Sequence, residues 1–317
     1  MREVTIYEND ADQRLDRFLQ KAFPKLSLGL SQKLIRKKRI KVNNARTEPN
    51  YRLMAGDTLQ LYLSDELLAE KPQTKEFSGG TKLDICYEDQ QIIIIEKPPN
   101  IACHSGKNPE DITLVDMLKS YLHETGAWKP EREKSFVPAL SNRLDRNTGG
   151  LVLAGKTAAA QKMLNEKIRT QEIDKYYLLA VYGTPNPPSG RIAAKLQKDG
   201  STNEVQVVDD GADGKDAITE YRTLDTRDDL SLVQCKLITG RSHQIRAHMA
   251  HIGTAILGDR KYGADIPKNA PKEKQQALWA HQVYFALPTD AGVLEYLRGK
   301  TFTSRNVPFV EKYFGNL

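Results

Sequence analysis

Between Asn142 and Thr157 the chain reads NRLDRNTGGLVLAGKT, and this run divides the folds open to it. Taken as a string, Gly150 to Thr157 spells G-x-x-x-x-G-K-T, a phosphate-binding loop that requires a hydrophobic strand before it and a helix after it. The order here is wrong. The residues between the glycines, Leu151, Val152, Leu153 and Ala154, are an apolar run suited to a buried strand. What precedes them, Asn142 to Asn147, is charged and turn-forming. Thr157 then reads as the N-cap of a helix beginning AAAQKMLNEKI. A turn, a buried strand and a helix are expected, with no nucleotide cofactor.

The turn carries one carboxylate, Asp145, between Arg143 and Arg146. So placed, it can meet a ligand. From this segment alone a surface Arg-Asp-Arg cluster without function is the expectation, because exposed ion pairs are common.

A length of 317 residues suggests two domains, one large enough for a full core. Cys86, Cys103 and Cys235 are far apart and form no C-x-x-C, so a reducing cytoplasm without disulfides is expected. The N-terminus shows no charged-then-apolar signal, and no apolar run approaches a membrane span. The net charge of +6 is localised: residues 1 to 63 hold 13 Lys and Arg against 7 Asp and Glu, and the rest of the chain is balanced. A basic surplus on a small module is an electrostatic footprint for polyanions. It concentrates in Lys33, Arg36, Lys37, Lys38, Arg39 and Lys41.

Within that module, Leu15, Phe18, Leu19 and Ala22 make one apolar helical stripe, ended by Pro24. A second helix is predicted from Ser27, with Leu30, Leu34 and Ile35 inward and Lys33, Arg36 and Lys37 outward. Ile40 and Val42 enter a short strand, Asn43-Asn44 turns, and Leu59, Leu61 and Leu63 alternate with polar neighbours. The expected division is a module over 1–65, a linker over 66–80, and a large domain over 81–317. In the large domain LDICYED and QIIIIEKP read as strands, 198–224 as hairpins with Asp-Gly turns, and roughly 111–123, 157–169 and 243–252 as helices. Strands outnumber helices without regular alternation, which predicts α+β with a mixed, mainly antiparallel β-sheet.

A second dense segment, LITGRSHQIRAHMAHIGTAILGDRKYG, runs from Leu237 to Gly263. His248 and His251 are spaced i, i+3 and could bind a metal. A third ligand and a water-activating carboxylate, as in H-E-x-x-H, are missing, so hydrogen-bonding or packing histidines are the expectation and no metal is assigned.

The stretch RLDRFL…LSQKLIRKKRIKVNN…GDTLQLYL, Arg14 to Leu63, resembles the S-four-type RNA-binding domain. The resemblance implies that Lys33, Arg36, Lys37, Arg39 and Lys41 lie on structured RNA, and one cationic helix face reaching consecutive phosphates agrees with it. Residues 83 to 315 resemble the RluA-type family of RNA pseudouridine synthases. The family pattern H-R-L-D-x-x-T-S-G is met by NRLDRNTGG (142–150), K-x-Y-x-A-x-V-x-G by KYYLLAVYG (175–183), and G-R-x-H-Q-I-R-x-H by GRSHQIRAH (240–248). An early K-P-x-G-x-x-x-H-x-G loop is echoed by KPPNIACHSG (97–106), and a late A-L-H-A-H by ALWAHQVYF (277–285).

This resemblance implies a pseudouridine synthase fold and an isomerase of uridines in structured RNA, ribosomal more than transfer RNA, working without cofactor and expected to act as a monomer. Asp145 stands at the catalytic aspartate, Arg246 at the arginine paired with it, and Tyr177 at the tyrosine lying against the target base. Arg143 and Thr148 belong to the motif turn, and with Arg241, His243 and Gln244 are expected around the substrate. Whether Asp145 attacks covalently or deprotonates the sugar stays open. A non-catalytic RNA-docking protein would need a damaged site, and these three positions are intact. Asn142 replaces the usual His, Gly149 the usual Ser, and Trp279 the usual late His.

Overall fold

The computed structural model describes residues 1–69, 82–106, 108, 110–200, 204–209, 212–262, 271 and 273–315. The chain divides into two compact units: Met1–Thr81 with Val115–Ala139 and Gly155–Gln161, and the remainder from Lys82 to Leu317.

In the first unit, β1 (Arg2–Thr5), α1 (Leu15–Ala22), α2 (Leu28–Arg36), β2 (Ile40–Val42) and β3 (Thr58–Leu61) follow in order. The predicted stripe of α1 is buried throughout. The side chain of Ser27 accepts the N–H of Leu30 at 3.3 Å and caps α2, the helix predicted from that residue. The sheet is antiparallel in the order β1-β3-β2. Strand β1 was not predicted, because REVT turns a single residue, Val4, inward and shows no period. Gln60, expected to face outward, is buried, and its side-chain oxygen accepts the N–H of Asn44 at 2.9 Å. Leu68 is buried in the same core, and Arg2 Nη1 donates to its carbonyl. The packed module therefore extends past residue 65 into the expected linker, whose residues 70–80 lie outside the described residues.

The remaining strands are β4 (Ile85–Glu88), β5 (Ile92–Lys97), β6 (Gly149–Gly155), β7 (Ile173–Tyr182), β8 (Ser189–Lys198), β9 (Val205–Val208), β10 (Lys215–Arg227), β11 (Leu230–Leu237), β12 (Leu278–Phe285) and β13 (Thr301–Thr303). They form one sheet in the order β4-β5-β6-β12-β7-β11-β10-β8-β9, with β13 on β12. Strands β6 and β12 pair in parallel, whereas β4–β5, β12–β7, β7–β11, β11–β10, β10–β8, β8–β9 and β12–β13 pair antiparallel, so the sheet is mixed and mainly antiparallel. The helices are α3 (Leu114–Glu124), α4 (Ala158–Arg169), α5 (Gln244–His251) and α6 (Pro308–Phe314). Phe309, Val310 and Phe314 of α6 pack on Leu178, Ala180, Leu232 and Trp279. Ala247 of α5 packs on Leu196, Val205 and Ala217. Among the described residues no helix is long and apolar enough to cross a membrane.

The segment 198–224 departs from a chain of simple hairpins. Strands β8 and β9 form one, but β10 then pairs with β8 instead of β9, and the tight turn comes later, between Arg227 and Leu230. The G-x-x-x-x-G-K-T string is strand, as expected: all seven residues of β6 are buried. Gly150 has φ +111°, and a β-carbon there would fall within 2.7 Å of three backbone atoms of Ala280. A β-carbon at Gly155 would fall within 2.8 Å of three atoms of Gln161 in the first turn of α4, and Thr157 Oγ1 accepts the N–H of Ala160 at 3.1 Å. Both glycines serve packing.

Candidate active site

The turn carrying Asp145 is fastened to the edge of β6. Ser141 N–H donates to the Leu153 carbonyl at 2.7 Å, and Asn142 Oδ1 accepts the Leu153 N–H at 2.8 Å. The residue that departs from the family pattern thus extends the ladder with its side chain. The N–H of Thr148 closes the turn on the Asp145 carbonyl at 3.1 Å. From below, Lys97 is fully buried and its ammonium donates to the carbonyls of Pro98, Ile101 and Arg146 at 2.9, 2.8 and 3.0 Å. Burial lowers its pKa to about 8, against the attraction of Cys103 and Asp145.

Arg246, on α5, donates from Nη1 to Asp145 Oδ2 at 3.2 Å. Its other face is gripped by Asp259, which accepts from Nε at 2.7 Å and Nη2 at 2.8 Å. This fork fixes the guanidinium plane, and only 2% of Asp259 is exposed. The Tyr262 ring lies over the same guanidinium, 5.0 Å from its centroid, and the Tyr262 hydroxyl hydrogen-bonds His243 Nδ1 at 2.9 Å. His243 Nε2 approaches Asp145 Oδ2 to 3.8 Å. Burial depresses the His243 pKa, outweighing the Asp145 charge, and its backbone holds a left-handed conformation at φ 51° ahead of α5. Burial, then the Asp145 charge, raises the Tyr177 pKa and keeps the phenol protonated.

Asp145 stands between two openings. One, of about 470 Å³, is lined by Tyr177, Lys175, Leu278 and the Thr239–Arg241 turn; the other, of about 860 Å³, is lined by Arg146, Arg260, Lys261 and Lys274. Arg143, His243 and Arg246 line both. Asp145, Tyr177 and Arg246, from three separate segments, therefore meet at one cavity.

The other predicted positions fall into two groups. Arg143 and Arg241 are exposed, the latter with Nε on the Asp216 carbonyl at 3.0 Å. Thr148 is buried and accepts from Gln276 Nε2 at 3.0 Å. Gln244 is buried; its amide donates to the Ile218 carbonyl and Thr219 Oγ1 and accepts from Thr239 Oγ1 and the Arg241 N–H. That satisfies the whole side chain internally, so in this structure Gln244 shapes the turn and offers nothing to a ligand. His248 is buried on Thr219, with its pKa lowered to about 4 by burial, whereas His251 is exposed. Among the described residues no three His, Cys, Asp or Glu could hold a metal ion. Lys33, Arg36, Lys37 and Arg39 are exposed on the first unit, and the half-buried Lys41 has its ammonium 5.4 Å from the Tyr62 ring centroid.

Sequence reasoning missed Asp259, Lys97, Tyr262 and Gln276. The one available signal was a lone acid, Asp259, among the cations of GDRKYG.

Residues 91–251 match the family model described as RNA pseudouridylate synthase, and residues 13–59 match the S4 domain. Over 281 residues the chain is 33% identical to ribosomal large subunit pseudouridine synthase C of Rickettsia bellii, covering 85% of this chain and 88% of that protein. It is 29% identical over 300 residues to ribosomal large subunit pseudouridine synthase D of Xylella fastidiosa, covering 92% and 86%. Among solved structures, human RNA pseudouridylate synthase domain containing 4 aligns with a TM-score of 0.54 at 22% identity, covering 71% of this chain and 89% of that one. Human RNA pseudouridylate synthase domain containing 1 aligns at 0.55 and 20%, covering 75% and 89%, and at these identities both speak for the fold.

Proposed function

This chain belongs to the RNA pseudouridylate synthase family, and from that membership we propose that it isomerises uridines of large-subunit ribosomal RNA, with Asp145 as the catalytic carboxylate. The observation that carries the role of Asp145 is the 3.2 Å hydrogen bond from Arg246, made on the wall of a cavity that Tyr177 also lines. The ribosomal target draws on the names of the relatives and on the S4 domain.

The reaction breaks the bond from sugar C1′ to base N1, turns the base, and joins C1′ to C5. The C5 proton leaves and N1 gains one, so product and substrate have the same composition and no oxidant is needed. Asp145 can act as nucleophile toward the nucleotide or as base toward the sugar. Arg246 aims its carboxylate, and Asp259 aims Arg246. Tyr177 lends a ring face to a uridine turned out of its stack, and its hydroxyl is the group proposed to pass on the C5 proton. Arg143 and Arg241 hold flanking phosphates, His243 steadies the carboxylate, and Thr148 and Gln244 position the two turns. Lys33, Arg36, Lys37, Arg39 and Lys41 grip RNA away from the reacting base. Action as a monomer belongs to the same proposal, and the ribosomal target implies the cytoplasm.

Asp145→Ala and Asp145→Asn should abolish pseudouridine formation while RNA affinity stays within about twofold. Pseudouridine made by the Asp145→Ala protein overturns the role. Mapping pseudouridines in large-subunit ribosomal RNA from cells with and without the gene tests the target.

A further inference from the structure

The first compact unit holds more than the N-terminal module, since Val115–Ala139 and Gly155–Gln161 pack with it. Asp10 is fully buried where they meet. Its carboxylate accepts the N–H of Lys134 at 2.8 Å, the N–H of Ser135 at 2.8 Å and the Ser135 hydroxyl at 2.6 Å. Gln13 Nε2 reaches Ser135 Oγ at 2.7 Å. Asn9 Oδ1 accepts the N–H of Ala158, the first residue of α4, at 2.9 Å, while its Nδ2 donates to Glu133 Oε1 at 2.9 Å. The guanidinium of Arg132 lies 5.9 Å from the Tyr7 ring centroid.

A carboxyl group taken wholly out of water is tolerated where donors converge on it, and here three do. Removing it would strand two backbone N–H groups. Such a contact is built as a seat. A module that merely swung on a tether would leave these groups to water.

We propose that residues 132–135 and the first turn of α4 form a docking surface for the N-terminal module, fastened by Asp10. The Lys33–Arg39 ridge is thereby held in one body with residues 132–135 and the first turn of α4. RNA then meets a ridge that is one piece with these segments instead of a module swinging on a tether. The docking stands independently of the proposed reaction; its consequence for RNA rests on that reading.

The test inserts a specific protease site within residues 70–81 of the full chain and cuts it. The wild-type pieces should co-elute in size exclusion, and those of Asp10→Ala with Asn9→Ala should separate. In the uncut protein, Asp10→Ala should raise KM for a structured ribosomal RNA fragment roughly tenfold and leave kcat within about twofold. Ser135→Ala, which removes one hydroxyl, supplies a milder variant should Asp10→Ala fail to fold, and should raise KM in the same direction. Separation of the wild-type pieces overturns the docking. An unmoved KM in a folded variant whose pieces separate overturns its consequence. Co-eluting pieces in a protein that makes no pseudouridine would support the seat and count against the reaction alone.

Discussion

Gly149 lies so close beneath the indole of Trp279 that a β-carbon at 149 would fall within 2.6 Å of three ring carbons. The two residues face each other in the parallel pairing of β6 with β12. The family pattern has Ser at the first position and His at the second, so the two departures are a single exchange of volume. The ring is tied down by its Nε1 donating to Ser304 Oγ at 2.8 Å, and Ser304 in turn donates to Glu96. Gly149 directly follows Thr148, which closes the Asp145 turn. Trp279 thus forms the floor under that turn.

Gly149→Ser alone should overpack this floor, costing about 1–3 kcal/mol, and Trp279→His alone should leave a hole of comparable cost. Combined, they should recover most of the loss, giving a coupling of at least about 1 kcal/mol in a double-mutant cycle. Denaturant unfolding of the four proteins measures it. Simple additivity would mean that the two departures arose separately.

The sequence made regular, repetitive features legible. The α1 stripe, the Ile92–Ile95 run and the Thr157 cap each repeat or mark a local physical preference, and each is where it was expected. Contacts that join distant residues singly left no such trace. Val4 alone could not announce β1, and nothing in GDRKYG says that Asp259 turns inward to Arg246 while its neighbours line an open cleft. Asp10 and Ser135 are 125 residues apart, so the seat of the N-terminal module was invisible. For the site, the Arg-Asp-Arg segment alone favoured an idle surface cluster at Asp145. The family motifs put Asp145, Tyr177 and Arg246 in one frame, and the fold carries them to one cavity.

Asp259→Asn should slow the reaction sharply without weakening RNA binding. The amide keeps one acceptor and turns an N–H₂ group toward the guanidinium, so the fork on Arg246 is lost and its aim at Asp145 drifts. Misplacement of this kind is worth roughly a hundredfold in rate. Single-turnover rates and equilibrium binding, measured on the same RNA, separate the two effects. A rate within twofold of wild type would remove Asp259 from the mechanism.

Replacing Lys33, Arg36, Lys37 and Arg39 with Gln should weaken RNA binding and flatten its dependence on salt. All four are exposed on one unit. Each phosphate contact contributes about 0.7–0.9 to the slope of log K against log salt, so the slope should fall by about 3. Affinity measured across a series of KCl concentrations decides this. An unchanged slope would mark the ridge as solvated surface.

Lys97 should give the activity an alkaline limit. Its ammonium offers three protons to three carbonyls, among them that of Arg146 beside Asp145. Burial brings its pKa down to about 8 from 10.5. As pH rises through about 8 the folded protein loses that proton, one carbonyl loses its donor, and the Asp145 turn slackens. Stability moves the other way. Between about 8 and 10.5 the unfolded chain still binds the proton that the folded chain has released, so this group's contribution to stability rises with pH. The expected signature is therefore a kcat that falls above pH 8 in a protein whose unfolding midpoint does not fall because of Lys97. In Lys97→Met the limb near pH 8 should vanish and leave a lower, flatter profile. Persistence of the same limb in that variant would assign it to another group.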